Sequence, residues 1–384
     1  MLALKGRLFA SFVGLLLSTL CAESAFAQSQ GTPASAAIVI DMTSGAVLLE
    51  KNADQPLPPA SMSKLMTLFM VFEALEQGRI SMGDTFRTSK RASQMGGSKM
   101  FLREGGLVSV EDLIRGVIVQ SGNDAAVAIA EALAGTEETF AERMTQRGRD
   151  LGLENSVFAN STGWPDQRQL MTVRDLAKLA GLLVERFPNY YPMFAETDFT
   201  WDGVAQKNRN PLLNLGVGAD GLKTGHTEEA GYGLVASAIR GQRRIVMVVS
   251  GLESKGERRH EAERLINWSF RAFETRELYA AGEGIIDAPV WIGSSATVTL
   301  APERDVMVTA PFGTLDKAEL KIRYEGPVPA PIAEGQAIGY VEIDVPELST
   351  VKIPLVAKQA VETGGFLTRM QAAGQLLLEP LFPG

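Results

Sequence analysis

Cysteine is almost absent from this chain of 384 residues: Cys21 is the only one, and it lies in the N-terminal segment. A mature protein cut after that segment has no thiol, which excludes a disulfide scaffold, a cysteine nucleophile and a thiolate metal site. Histidine is nearly as scarce, with only His226 and His260. That argues against a multi-histidine zinc centre. Positive charge is also in deficit, the formal net charge being -8. Such a chain is repelled by phosphate backbones, so no nucleic-acid partner is expected.

What is present is ordinary globular material, 45% hydrophobic and 21% charged, in a length that suits two domains. The N-terminus reads as an export signal. Lys5 and Arg7 precede the apolar run Leu8 to Leu20, and Ala25-Phe26-Ala27 supplies a small-residue cleavage pattern with Gln28 as the first mature residue. The run is shorter than the roughly 20 residues that span a bilayer. Ser18-Thr19-Leu20 before Cys21 departs from a lipoprotein signal. Residues 1–27 are therefore expected to be removed, and the protein to be periplasmic.

Alternation and turn residues predict a hairpin over Ala36 to Glu50, turning at Thr43-Ser44-Gly45. Leu65, Leu68, Phe69, Phe72 and Leu75 fall at helical spacing and predict a helix from Ser61 to Gln77, stopped by Gly78. A helical stretch from Val110 to Leu133 is interrupted near Ser121-Gly122-Asn123. Three antiparallel strands are expected between Gly221 and Gly251, then a helix from about Glu261 to Glu274. Pro289 to Lys358 carries short alternating segments punctuated by Gly and Pro, the mark of a small β-sandwich. Phe366, Met370, Ala373 and Leu377 share a helical face in the tail, which suits either a membrane surface or docking on the β domain. The expected class is α+β: a sheet with helices over 28–277, an all-β domain over 278–360 and a tail helix over 361–384.

Three short motifs carry the chemistry. In Ser61-Met62-Ser63-Lys64, a spacing of three places serine and lysine on one helical face. A serine hydroxyl is a poor nucleophile until a neighbour takes its proton. A lysine can do so if burial and nearby positive charge lower its pKa. The motif alone is weak, because Ser349-Thr350-Val351-Lys352 repeats it where strand alternation separates the ends. The second motif is Ser121-Gly122-Asn123. Ser121 can relay a proton, and Asn123 can donate to a peptide carbonyl and accept from an N–H. By itself the tripeptide is most simply a turn. The third, Lys223-Thr224-Gly225, lies on an expected strand. Lys223 offers a positive charge and Thr224 a hydroxyl for a terminal carboxylate, and Gly225 allows close backbone approach. The N–H of His226, with that of Ser61, can form an oxyanion hole. The His226 ring is read as a rim group and not a base.

The conjunction and order of these motifs, in the longer stretches Pro59-Ala60-Ser61, Lys64-Leu65-Met66-Thr67, Gln120 to Ala125 and Asp220 to Thr227, resemble the serine D-alanyl-D-alanine carboxypeptidases, the low-molecular-mass penicillin-binding proteins. The resemblance runs from about Pro33 to Lys358. It implies a transpeptidase-like fold of the serine β-lactamase and penicillin-binding-protein kind, a β-rich C-terminal domain and a membrane-surface tail helix. It makes Ser61 the acylated nucleophile and Lys64 the base, with Ser121 and Asn123 lining the site and Lys223 binding substrate. Asn208-Arg209-Asn210 resembles a family segment, and Arg209 is a candidate for the terminal carboxylate. The tail is poorer in basic and aromatic residues than the resemblance would require.

The expected reaction is removal of the terminal D-alanine from peptidoglycan stem pentapeptides through an acyl-enzyme on Ser61, with β-lactams as covalent inhibitors and no metal or organic cofactor. A β-lactamase is the first rival, and the absence of a Glu-x-x-Leu-Asn pattern between Ser121 and Lys223 counts against it. An endopeptidase acting on cross-links would use the same groups. A non-catalytic envelope scaffold would not need all of them.

Overall fold

A computed structural model describes residues 31–346, 350–366 and 370. The expected signal segment, Ser349 and most of the expected tail helix lie outside the described residues; at the start of that tail, Val361 and Thr363 form bridges to Ile332 and Gly293 and are not helical.

The first sheet is built from β1 (Ala36–Asp41), β2 (Val47–Lys51) and three later strands. Two small ribbons intervene: β3 (Thr85–Arg87) with β4 (Leu107–Ser109), and β5 (Asp198–Trp201) with β6 (Val204–Lys207). The later strands are β7 (Ala219–Thr227), β8 (Gly231–Arg240) and β9 (Arg243–Leu252). All pairings in the five-stranded sheet are antiparallel, in the order β2-β1-β9-β8-β7. That order leaves β7, which carries Lys223-Thr224-Gly225, at an edge.

Strand alternation sorts the core to two sides. Val235, Val246 and Val248 face a large helical core, while Leu234, Ala236, Met247 and Val249 face a smaller one. The large side is covered by α1 (Lys64–Glu76), α2 (Lys90–Gln94), α3 (Val110–Ile118), α4 (Asn123–Ala134), α5 (Glu137–Asp150) and α6 (Val173–Arg186), the other by α7 (Lys255–Ala272). The class is α+β with helices on both faces of an antiparallel sheet.

The spacing of apolar residues suggests one buried face for α1, yet Leu65, Met66, Leu68, Phe69, Val71 and Phe72 are all fully buried. A helix that is apolar all round belongs in the middle of a core. Phe69 meets Phe187 edge-on at 5.0 Å, and Phe72 stacks on Tyr190 at 5.2 Å. Each such buried ring contributes about 1.5–3 kcal/mol over its exposed state, so α1 is a rigid base for what precedes it. Gly78 follows the helix at φ +65, where a residue without Cβ is favoured, and its N–H closes on Leu75 O at 3.0 Å.

The expected helix from Glu261 to Glu274 begins six residues earlier, at Lys255, and ends at Ala272. Ser254 caps it by accepting from Glu257 N at 3.0 Å, and Glu257 Oε2 accepts from Glu253 N at 2.7 Å. Gly256 in the first turn conceals that start.

The C-terminal part is all β: β10 (Phe273–Tyr279), β11 (Ile286–Trp291), β12 (Thr297–Pro302), β13 (Val306–Pro311), β14 (Glu319–Tyr324), β15 (Val328–Pro329), β16 (Ala337–Asp344) and β17 (Val351–Ala357). Six of these form the sheet β14-β16-β17-β12-β11-β15, and β10 pairs with β13. They enclose a separate core around Val298, Leu300, Val341 and Leu355. The division expected at residue 278 falls inside β10. The two parts meet at buried Asp41, which accepts from Arg243 Nε at 2.6 Å and Thr275 Oγ1 at 3.1 Å.

Candidate active site

Ser61 does not lie in α1 itself but in a 3₁₀ turn, Ala60–Ser63, that leads into it. With three residues per turn, positions i and i+3 eclipse, so Ser61 stands directly over Lys64. Lys64 Nζ is 2.9 Å from Ser61 Oγ, 2.7 Å from Asn123 Oδ1 and 2.5 Å from Thr162 O. The first and second motifs therefore meet at one nitrogen. Lys64 is completely buried. Burial, and then the charge of Arg209, bring its pKa down to about 7, against the pull of Glu137 and Asp124.

The turn is held in a strained shape. Ala60 sits at φ +47, and Gly163 at φ +76 lies against it, where a Cβ would fall 1.9 Å from Ala60 O. The segment 160–163 is pinned from several sides. Thr67 Oγ1 donates to Ser161 O at 2.7 Å, and Glu137 Oε1 accepts from Ser161 N and Oγ at 3.1 and 2.7 Å. Asn160 Oδ1 accepts from the amides of Thr162, Gly163 and Trp164. This fixes the carbonyl that receives Lys64. Nothing in the spacing of the three motifs points to it; the signal was the run Asn160-Ser161-Thr162-Gly163, a turn sequence followed by a glycine that must take a left-handed backbone.

Ser121 is buried at φ +58 between α3 and α4. For a non-glycine residue this conformation is costly and clusters at functional sites. Asn123 opens α4. Its Nδ2 donates to Gly96 O at 2.8 Å and its N–H to Ser98 O at 2.7 Å, so the amide oxygen is turned to Lys64. The loop Gly96-Gly97-Ser98, a plain polar loop in the sequence, thus sets the orientation of Asn123. Buried Asp124 holds the next part of that loop by accepting from Met100 N at 3.0 Å and Leu102 N at 3.0 Å. Trp164, half exposed, lies over Gly96 and Gly97.

The third motif comes in from the sheet edge. Gly225 is needed for packing against the nucleophile turn: a Cβ there would lie 3.0 Å from Pro59 O and 3.0 Å from Met62 Cγ. The room for substrate backbone expected from the sequence is a separate matter from this contact. Lys223 and Thr224 are buried, and Lys223 Nζ donates to Thr224 O at 3.2 Å. Burial, then the charges of Lys64, Arg209 and Arg258, press the Lys223 pKa well below the ordinary lysine range. His226 is exposed and stacks on Tyr232 with ring centroids 3.9 Å apart.

Asn208 and Asn210 explain the Asn-Arg-Asn pattern. Asn208 Nδ2 donates to Glu196 O and Asn210 Nδ2 to Gly221 O, both at 2.8 Å, which ties the segment to β7 and presents Arg209. Arg209 donates to Ser98 Oγ. No carboxylate pairs with it among the described residues. Arg258 on α7 is buried beneath β7, with Nη1 3.5 Å from Gly225 O and 3.4 Å from Gly233 O. Burial lowers its pKa to about 10. One of several arginines in a charged helix, it gave no sign of this place in the sequence.

Residues 23–254 match the D-alanyl-D-alanine carboxypeptidase family, and residues 273–363 match the C-terminal domain of penicillin-binding protein 5. The chain belongs to the D-alanyl-D-alanine carboxypeptidases. It is similar to D-alanyl-D-alanine carboxypeptidase DacC of Escherichia coli, with 38% identity over 94% of this chain and 92% of that one. Its structure is similar to penicillin-binding protein 5 of Haemophilus influenzae, with a TM-score of 0.82 and 35% identity over 87% of this chain and 99% of that one. It is also similar to penicillin-binding protein D2 of Listeria monocytogenes in its ampicillin-bound form, with a TM-score of 0.58 and 29% identity over 63% of this chain and all of that one. This carboxypeptidase is accordingly a serine peptidase of the penicillin-binding type directed at peptidoglycan. Among the described residues, no helix is long and apolar enough to cross a membrane.

Proposed function

We propose that Ser61 is the nucleophile and Lys64 its general base in an acyl transfer on peptides ending in D-alanyl-D-alanine. The observation that carries this is the hydrogen-bond set of Lys64. Thr162 O and Asn123 Oδ1 have no proton to give, so a neutral amine donates its two hydrogens to them. The nitrogen lone pair is then left for the Ser61 hydroxyl at 2.9 Å. With a pKa of about 7, a sizeable fraction of Lys64 is neutral near neutral pH, where a base is most effective.

In the first step Ser61 Oγ bonds to the carbonyl carbon of the penultimate D-alanine, and its proton passes to Lys64. The C–N bond then breaks, and the proton goes to the leaving D-alanine nitrogen, with Ser121 as the relay. The bonds of Lys64 run to Ser61, Asn123 and Thr162, so the relay through Ser121 has to form once substrate is bound. Water hydrolyses the resulting ester. The N–H groups of Ser61 and His226 are assigned to the oxyanion. Lys223, Thr224 and Arg209 are assigned to the terminal carboxylate, whose negative charge relieves this crowding of cations. A β-lactam, with a strained amide and a carboxylate, follows the same first step.

Export to the periplasm, on the basic, apolar and small-residue pattern of 1–27, belongs to this reading, as does contact of the tail with the outer face of the inner membrane. Product analysis tests the activity. Purified protein should release one D-alanine from a stem pentapeptide faster than it opens a cross-linked dimer; the reverse order would make it an endopeptidase.

A further inference from the structure

Phe101 is a bulky side chain held at φ +66 and more than half exposed. Both features are unfavourable, since a left-handed backbone crowds a large side chain and an apolar ring gains from burial. Its neighbours explain how the shape is imposed. The amides on either side, Met100 N and Leu102 N, both bond to buried Asp124, and the side chains of Met100 and Leu102 are buried. The chain between them has only one way to go, which drives the Phe101 ring outward. The β5–β6 ribbon braces the same loop, with Gln206 Nε2 donating to Lys99 O at 3.2 Å and Arg103 paired to Asp202 at 2.6 Å. Val204, at the tip of that ribbon, is exposed as well.

The loop is continuous with the active site, because Ser98 bonds both Asn123 and Arg209. Three extended residues span about 10 Å, so Phe101 lies within about that distance of Ser98, the residue that touches Asn123 and Arg209. The two or three residues of an extended stem peptide that precede D-alanyl-D-alanine cover the same span. We propose that Phe101 is a substrate-binding residue of this carboxypeptidase, forming with Val204 an apolar lip for the stem-peptide portion of polymeric peptidoglycan upstream of the scissile bond. This rests on the carboxypeptidase reading above. Local strain that persists in a well-braced segment is a mark of function, and here it keeps an aromatic face presented to the ligand without the entropy loss of a mobile loop.

The test compares Phe101→Ala and Phe101→Asn with the unaltered full chain. Asparagine accepts the left-handed backbone, so it keeps the loop and removes only the ring. For each protein kcat/KM is measured on purified pentapeptide-bearing peptidoglycan and on a short N-acylated peptide ending in D-Ala-D-Ala, with penicillin acylation as a third readout. The ratio of polymer to short-peptide kcat/KM should fall about tenfold in both variants, with penicillin acylation following the short peptide. An unchanged ratio would overturn the proposal. So would an equal loss on both substrates, which would make Phe101 a brace for the loop. Failure of the unaltered protein to acylate or to release D-alanine would instead count against the carboxypeptidase reading on which the proposal stands.

Discussion

Asn123 Oδ1 lies 2.7 Å from Lys64 Nζ, and the rest of the asparagine is committed elsewhere, its Nδ2 to Gly96 O and its backbone N–H to Ser98 O. The amide can therefore only accept from the lysine. Together with Thr162 O it fixes how the amine is turned toward Ser61, so the base is oriented by its other partners as well as by its distance from the hydroxyl.

The pH dependence follows from the depressed pKa of Lys64. The amine must be neutral to take the serine proton, so activity rises as pH rises through the folded-state pKa. The rate constant for penicillin acylation should climb with an acid-limb midpoint of about 7. A midpoint in the ordinary lysine range would mean that Lys64 is not the base.

Arg209 adds positive charge to the Lys64 environment and lowers its pKa. In Arg209→Ala that push is lost, the protonated form is favoured, and the acid-limb midpoint moves to higher pH. Loss of a cation for the terminal carboxylate should also reduce kcat/KM for D-Ala-D-Ala peptides by roughly tenfold. Peptide hydrolysis across the pH range reads both effects.

Gly163→Ala places a Cβ against Ala60 O, on a residue at φ +76. Strain and clash should cost roughly 2–3 kcal/mol in stability. Because the displaced atom belongs to the turn that carries Ser61, acylation should fall by more than the unfolded fraction explains. Calorimetry with penicillin labelling of the folded protein checks this.

Asp124→Ala strands the buried amides of Met100 and Leu102. The expected loss is about 2–4 kcal/mol, measured by urea denaturation. Asp124→Asn keeps an acceptor but removes a charge that raises the Lys64 pKa. Its acid limb should therefore shift to lower pH, with a smaller loss of stability.

Much of this was legible in the sequence because local pattern and fold agree. The hairpin at the N-terminal end of the domain, the break between α3 and α4, and the three strands around Lys223 follow from alternation and turn residues that mean the same thing in any context. The α5 and α6 helices and strand β16 were not read, and the start of α7 was hidden by Gly256. In the site, serine and lysine at a spacing of three were enough to suggest a pair. Their order with the later motifs, and the resemblance it carries, gave the reaction class. Sequence spacing could not reveal Thr162, Gly163, Gly96 or Arg258, which act through a backbone carbonyl, a missing side chain or a buried charge reached across the fold. Gly225 has a packing role that the strand pattern does not reveal: its bareness lets β7 lie against the nucleophile turn.

The most direct test of the whole account is the intact and peptide mass of the protein after exposure to penicillin, beside Ser61→Ala. One covalent adduct is expected, on the peptide that contains Ser61, and none in the variant. An adduct that persists in Ser61→Ala, or an unaltered protein that gains no mass, would contradict it.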